Sequence, residues 1–134
     1  QLPPTMERDD DRLAHALGHL PAGIRTAVEF RHPSWLDERV FDVLERHRSA
    51  YVVMSGAELP CVLRATSDLV YVRWHGPNGE HLYAGSYSDD DLRWWADQLR
   101  EWEGTGHRVY GYFNNDQFGY APANAMRLRE LLDR

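Results

Sequence analysis

The stretch LVYVRWH (69–75) carries the pattern from which the fold of this chain can be argued. Successive side chains of a strand point to opposite faces, so the stretch divides into two sets. These are Val70, Val72 and Trp74 on one face, and Tyr71, Arg73 and His75 on the other. The first face is apolar, whereas the second becomes polar toward the end of the strand. This division is typical of a parallel β/α protein, in which helices cover one face and a ligand binds beyond the strand ends.

Segments 26–31 and 109–114 show the same division. Their polar-ended faces carry Ala27, Glu29 and Arg31 in the first segment, and Tyr110, Tyr112 and Asn114 in the second. The opposite faces carry Val28 and Phe30, and Val109, Gly111 and Phe113. The carboxyl ends of parallel strands meet at one edge of a sheet. We therefore expect five polar side chains to converge inside one lumen: Glu29, Arg31, Arg73, His75 and Asn114.

Helical and strand periodicities alternate along the whole chain. Helical spacing predicts helices near 9–19, 37–47, 88–103 and 121–132, and strand patterns occur at 26–30, 50–54, 69–74 and 108–113. A loop-rich stretch separates the second and third strands. Helical crossovers predict a parallel sheet, either an open doubly wound sheet or a segment of a barrel. The lack of a glycine-rich phosphate fingerprint after a strand disfavours a dinucleotide-binding sheet, and the polar strand ends favour the barrel.

Composition limits the classes of function. The chain has 134 residues, 43% of them hydrophobic, which suffices for one domain with a core. A formal net charge of -6 argues against broad binding to nucleic acid or anionic membranes. Cys61 is the only cysteine, and no apolar run or signal-peptide pattern occurs, so we expect a cytoplasmic protein. The opening QLPP (1–4) is typical of a strand end, which leads us to expect preceding sequence.

The residues at the strand ends suggest roles. Glu29 and His75 are the candidate catalytic residues, His75 for proton transfer and Glu29 as a base or as its orienting partner. Arg31 and Arg73 would clamp carboxylate or phosphate oxygens, and Asn114 would hold a hydroxyl or carbonyl group. The predicted substrate-binding set also includes His32, Trp35 and Asn115. A structural reading stays open, with Glu29 and Arg31 as a buried ion pair, His32 bracing a turn, and 114–116 as turn residues.

Several longer strings support a family resemblance. They are VEFRHPSW (28–35), YVRWHG (71–76), YAGSYSDDDLRWWADQL (83–99) and YFNNDQFGYAPANAMRL (112–128), after the opening QLPP. Together they closely resemble the YecE-like family, known as domain of unknown function 72 (DUF72). The resemblance implies an α/β fold, a TIM-type (β/α)8 barrel about twice this length. Residues 1–134 would form a single domain, the carboxy-terminal half, supplying strands five to eight with their helices.

Half a barrel would leave two strand edges and its lumen uncovered, so self-association or a missing amino-terminal half is expected.

Three functions remain open. One is an enzyme, a hydrolase of phosphoesters or an isomerase of sugars, acting on a small polar or anionic substrate. Another is a nucleic-acid-binding module that uses Arg31, Arg73, Trp35 and Trp74, although the net charge disfavours it. The third is a non-catalytic structural or interaction protein.

Metal-ligand residue types are present at Glu29, His32, His75 and Asp116, but they form no close-spaced motif. We therefore expect no stoichiometric metal and no cofactor.

Overall fold

A computed structural model describes residues 1–56 and 59–133. The main elements are α1 (Asp10–Gly18), β1 (Ala27–Val28), α2 (Glu38–Arg46), β2 (Ala50–Ser55), β3 (Leu69–Trp74), α3 (Asp89–Gly104), β4 (Arg108–Phe113) and α4 (Tyr120–Leu132). Short 3-10 turns lie at Pro33–Trp35 and Gln117–Gly119. The predicted order of helices and strands is confirmed. As expected, the described residues between β2 and β3 contain no helix.

Helix starts follow their capping residues. Ser88 caps α3 by accepting from the backbone N–H of Asp91 at 3.1 Å, while the Asp91 carboxylate accepts from the Ser88 N–H at 2.9 Å. Asp9 and Asp37 accept from backbone N–H groups at the starts of α1 and α2. Such caps satisfy donors that a helix leaves unpaired in its first turn. No helix in the described ranges combines the length and apolar character needed to cross a bilayer.

The four strands form one parallel sheet in the order β1-β2-β3-β4. Spatial order therefore follows chain order, without the reversal that defines a doubly wound sheet. The register pairs Met54 with Arg73 and Arg73 with Tyr112. Because paired residues of parallel strands lie on the same face, this register aligns the polar-ended faces that parity predicted.

The main hydrophobic cluster lies on the other face of the sheet. It contains Tyr51, Val53, Val70, Val72 and Trp74 from the strands, together with buried residues of all four helices. On this face the Trp74 ring covers Gly111, where an added Cβ would lie 2.3 Å from Trp74 Cζ3. The predicted apolar face is thus confirmed, and its glycine leaves room for the indole.

The polar-ended face is more open. The Tyr71 and Tyr112 rings stack there with their centroids 5.2 Å apart, and the exposed fractions of Tyr110 and Tyr112 are 45% and 51%. Val52 and Met54 lie on the same face and are buried outside the main cluster. The sheet therefore has a face covered by helices and a face that remains accessible beside β3 and β4.

Strand β1 is shorter than predicted. Only Ala27 and Val28 pair with β2, and the predicted strand residues 29 and 30 lie beyond it. The carbonyl of Glu29 accepts from the N–H of Leu2 at 2.9 Å. The opening residues thus run beside the end of β1.

Candidate functional site

The end of β3 is anchored to the end of β2. The His75 N–H donates to the carbonyl of Ser55 at 2.6 Å, and the Gly76 N–H donates to the Tyr87 hydroxyl at 3.1 Å. The Tyr87 hydroxyl in turn donates to the carbonyl of Ser55 at 3.1 Å. These contacts fix the backbone at the end of β3, which carries Arg73 and His75.

Glu29 lies between two guanidinium groups. Its Oε1 accepts from Nε and Nη2 of Arg31, and its Oε2 accepts from Nη1 of Arg73 at 2.7 Å. Glu29 is 2% exposed. The exposed fractions of the two arginine side chains are 7% for Arg31 and 25% for Arg73. Both carboxylate oxygens are therefore occupied, as a buried charge requires.

These neighbours keep Glu29 ionised. Burial raises the pKa of Glu29, but polar contacts with His75 and Arg73 and the charges of Arg31 and Arg73 outweigh it and lower the pKa to about 2. A general base works best when its pKa lies near the operating pH. The geometry therefore favours an orienting part for Glu29 over the alternative of a base.

His75 links the arginines to Asn114. Its Nε2 lies 3.2 Å from Nη2 of Arg31. The same nitrogen lies 3.6 Å from Oε1 of Glu29, so it sits between a guanidinium donor and a carboxylate acceptor. The Asn114 amide is oriented so that both its oxygen and its nitrogen have hydrogen-bond partners. In this orientation Oδ1 accepts from His75 Nδ1 at 3.0 Å and from Arg73 Nη2 at 3.1 Å. The amide nitrogen then donates to the carbonyl of Trp74 at 3.0 Å.

The structure thus brings together all five residues expected in the lumen: Glu29, Arg31, Arg73, His75 and Asn114. We call this set the strand-end cluster. His75 is fully buried with both ring nitrogens engaged, which leaves no nitrogen free for a substrate in this arrangement. The cluster is a connected polar network rather than a loose gathering of side chains.

The strand-end cluster has more positive than negative charge. Two guanidinium groups share one carboxylate. Arg73 also donates to Oε1 of Gln1 at 3.2 Å, and it borders a cavity of about 290 Å³. That cavity is lined by Gln1, Arg25, Ala27, Glu29, Val52, Leu69, Tyr71 and Arg73. The surplus charge therefore faces open space at Arg73.

Three predicted substrate-binding residues lie outside the cluster. His32 caps the 3-10 turn after β1 by accepting from the Ser34 N–H at 3.2 Å. Trp35 is 1% exposed, stacks on Phe30 and donates its indole N–H to the carbonyl of Met6 at 2.8 Å. The structure assigns Trp35 to the core rather than to a pocket wall.

Asn115 is the third of these residues. It is fully buried, and its amide donates to the carbonyl of Gly85 at 2.8 Å and to Asn124 Oδ1 at 2.9 Å. It therefore ties the end of β4 to α4 and to the loop before α3. Parity explains the difference from Asn114, since neighbouring residues leave a strand in opposite directions.

Sequence reasoning missed the tyrosines of the loop after β3. Tyr87 braces the strand ends, and the Tyr83 ring packs edge-on against the His75 ring with centroids 5.4 Å apart. Strand periodicity cannot locate loop residues, and the string YAGSYSDDDLRWWADQL (83–99), which contains both tyrosines, supported the family resemblance without giving them a role. Within residues 1–56 and 59–133, no three His, Cys, Asp or Glu side chains are placed to hold a metal ion.

Comparisons with family models, curated proteins and solved structures agree on one family. The model of a family described as "Protein of unknown function DUF72" matches residues 1–134. The UPF0759 protein YunF of Bacillus subtilis (strain 168) is 28% identical over 162 residues, which cover 99% of this chain and 56% of that protein.

Solved structures agree with this match. A DUF72 family protein of Thermotoga maritima superposes with a TM-score of 0.90 at 28% identity, covering 100% of this chain and 56% of the other. A DUF72 family protein of Enterococcus faecalis V583 gives a TM-score of 0.85 at 18% identity, covering 98% and 58%. The chain therefore spans little more than half the length of the relatives it matches.

Proposed function

Since the chain belongs to the DUF72 family, whose description names no activity, we propose that it binds a small anion at the carboxyl ends of its strands. The observation that carries this proposal is the shared carboxylate: Glu29 balances one of the two guanidinium charges that contact it. The unmatched charge lies on the more exposed arginine, Arg73. Carboxylate and phosphate groups are the ligands that a guanidinium binds in bidentate fashion.

The remaining cluster residues position Arg73. Glu29 and Asn114 accept hydrogen bonds from its two terminal nitrogens, and His75 holds Asn114 through Nδ1. A guanidinium fixed in this way loses less conformational entropy when it binds an anion. In this proposal Glu29 and His75 are positioning residues, which differs from the catalytic roles that their residue types suggested.

We also propose that the four strands are strands five to eight of a TIM-type barrel. Sequential parallel order, a helix-covered outer face and an accessible inner face support this arrangement. The half-length match to the relatives supports it as well. The active sites of such barrels lie at the carboxyl ends of the strands, where the strand-end cluster lies.

A half barrel with two open edges should associate with a partner. We expect multi-angle light scattering of the purified 134-residue chain to give at least twice its 15.6 kDa mass. A single monomeric species that unfolds cooperatively would contradict the barrel proposal, because its inner face would then be stable without cover.

Replacement of Arg73 tests anion binding. We expect Arg73→Gln to weaken the binding of inorganic phosphate at least about tenfold, because one charge-assisted contact of this kind contributes about 1.5–3 kcal/mol. Isothermal titration calorimetry at low ionic strength measures the change. Circular dichroism should show that the variant remains folded, since Arg31 still neutralises Glu29.

The matched control is Arg93→Gln, which removes an arginine that pairs with Asp89 and Asp90 on the surface of α3. It should leave phosphate affinity unchanged. Equal affinities for the wild type, Arg73→Gln and Arg93→Gln would contradict a site at Arg73.

A further inference from the structure

The loop after β3 places an aromatic ring on the strand-end cluster. The Tyr83 N–H donates to the carbonyl of His75 at 2.6 Å, and its ring meets the His75 ring at an interplanar angle of 68°. The exposed fraction of Tyr83 is 40%. One side of this ring therefore rests on the cluster while the rest faces solvent.

A second exposed aromatic ring follows β4. Phe118 lies in the 3-10 turn Gln117–Gly119, four residues after Asn114, and it is 84% exposed. Its ring has an edge contact with Tyr120 at a centroid distance of 5.9 Å. The Phe118 ring therefore lies outside the core.

Both residues adopt backbone conformations that bulky side chains rarely take. The φ angle of Tyr83 is 68° and that of Phe118 is 54°, both in the left-handed region. A Cβ atom is crowded there, so glycine or asparagine is normally found. Strain of this kind persists where the surrounding structure enforces it, and it is concentrated at ligand-binding sites.

The two loops are joined to each other. The Gly85 N–H donates to Oε1 of Gln117 at 3.3 Å, and Asn115 donates to the carbonyl of Gly85 at 2.8 Å. Gln117 directly precedes Phe118, and Gly85 is two residues from Tyr83. The two loops that carry Tyr83 and Phe118 are thus joined at the carboxyl ends of β3 and β4.

We propose that Tyr83 and Phe118 form an aromatic rim that recognises a ring attached to the anionic group of the ligand. This inference rests on the proposed function, because the anion is held at Arg73. Aromatic faces and edges pack against planar rings and against the apolar faces of sugars. The ligand class is therefore a ring-bearing phosphate or carboxylate, in preference to a small free anion.

Three probes separate the proposals: inorganic phosphate, phenyl phosphate and glucose 6-phosphate. Calorimetry on the wild type should show at least one ring-bearing probe binding about tenfold more tightly than phosphate, an advantage of about 1.4 kcal/mol. In Tyr83→Ala and Phe118→Ala that advantage, measured as the ratio of the two affinities within each variant, should fall to about threefold or less. Tyr83→Phe should retain it. The identity of the favoured probe distinguishes an aromatic ligand from a sugar.

Phe118→Gly provides a second readout. Glycine relieves the left-handed strain, so the Tm should rise while the preference for the ring-bearing probe is lost. A fall in Tm would assign Phe118 to packing and overturn its place in the rim.

Equal affinities of all three probes, with phosphate binding still dependent on Arg73, would overturn the aromatic rim and leave the anion site intact. Absence of binding by every probe would overturn both proposals.

Discussion

Glu29→Gln should lower the free energy of unfolding by about 3–5 kcal/mol, which is the usual cost of removing one partner from a buried ion pair. The glutamine is nearly isosteric, so the change removes charge without creating a cavity. Arg31, whose side chain is 7% exposed, would remain beside Arg73 with no carboxylate between them. Chemical denaturation followed by circular dichroism at neutral pH measures the loss.

The control for this change is Glu130→Gln. Glu130 pairs with Arg127 at 2.9 Å on the surface of α4, and its side chain is 61% exposed. Surface pairs of this kind contribute at most about 1 kcal/mol. Similar losses for the two variants would contradict the buried pairing of Glu29.

The same substitution predicts a pH dependence. Folding lowers the pKa of Glu29 from 4.5 to about 2, so its ionised form stabilises the fold fully above pH 4.5, and this contribution is lost as the pH falls toward 2. The difference in unfolding free energy between the wild type and Glu29→Gln should therefore shrink across that window. A difference that stays constant down to pH 2 would show that the carboxylate charge is not its source.

Gly76→Ala should destabilise the protein by roughly 2–4 kcal/mol, the sum of a strained backbone and an overpacked contact. Gly76 has a φ angle of 100°, and an added Cβ would lie 2.2 Å from the carbonyl oxygen of Ala84. Because that atom belongs to the backbone, the loop itself must move. The displacement should also weaken phosphate binding, since Gly76 directly follows His75.

Two further glycines separate the cost of a positive φ angle from the cost of a close Cβ contact. Gly106 has a φ angle of 90° with no atom within 4 Å of an added Cβ, and Gly79 has neither a positive φ angle nor a close neighbour. Thermal unfolding should rank Gly79→Ala as nearly neutral, Gly106→Ala as intermediate and Gly76→Ala as the most destabilising. A Gly76→Ala variant no less stable than Gly106→Ala would contradict the close approach of the Ala84 carbonyl.

The alternation of side chains along each strand located the strand-end cluster, because alternation depends only on neighbouring residues. Alternation places Arg73 and His75 on one face whatever the rest of the chain does, and parallel pairing then brings Asn114 beside them. The prediction extended too far at β1, where pairing with β2 ends at Val28. Where such pairing ends depends on contacts between distant parts of the chain, which periodicity does not contain.

Residue type was a weaker guide to role than position. Trp35 follows a strand end, yet its ring stacks on Phe30 in the core, because a large apolar surface is most stable when buried. Glu29 and His75 have the side chains of an acid–base pair, but their hydrogen bonds are used within the cluster. Hydrogen-bond occupancy depends on three-dimensional geometry and could not be predicted from the sequence.

The most direct test of the anion site is a crystal structure of the protein grown with inorganic phosphate. We expect phosphate density within hydrogen-bonding distance of the Arg73 guanidinium, with Glu29 and Asn114 still holding that side chain. The density should be absent from crystals of Arg73→Gln grown in the same way. A cluster of unchanged geometry with no phosphate at Arg73 would contradict the proposal and leave the five residues as a structural network.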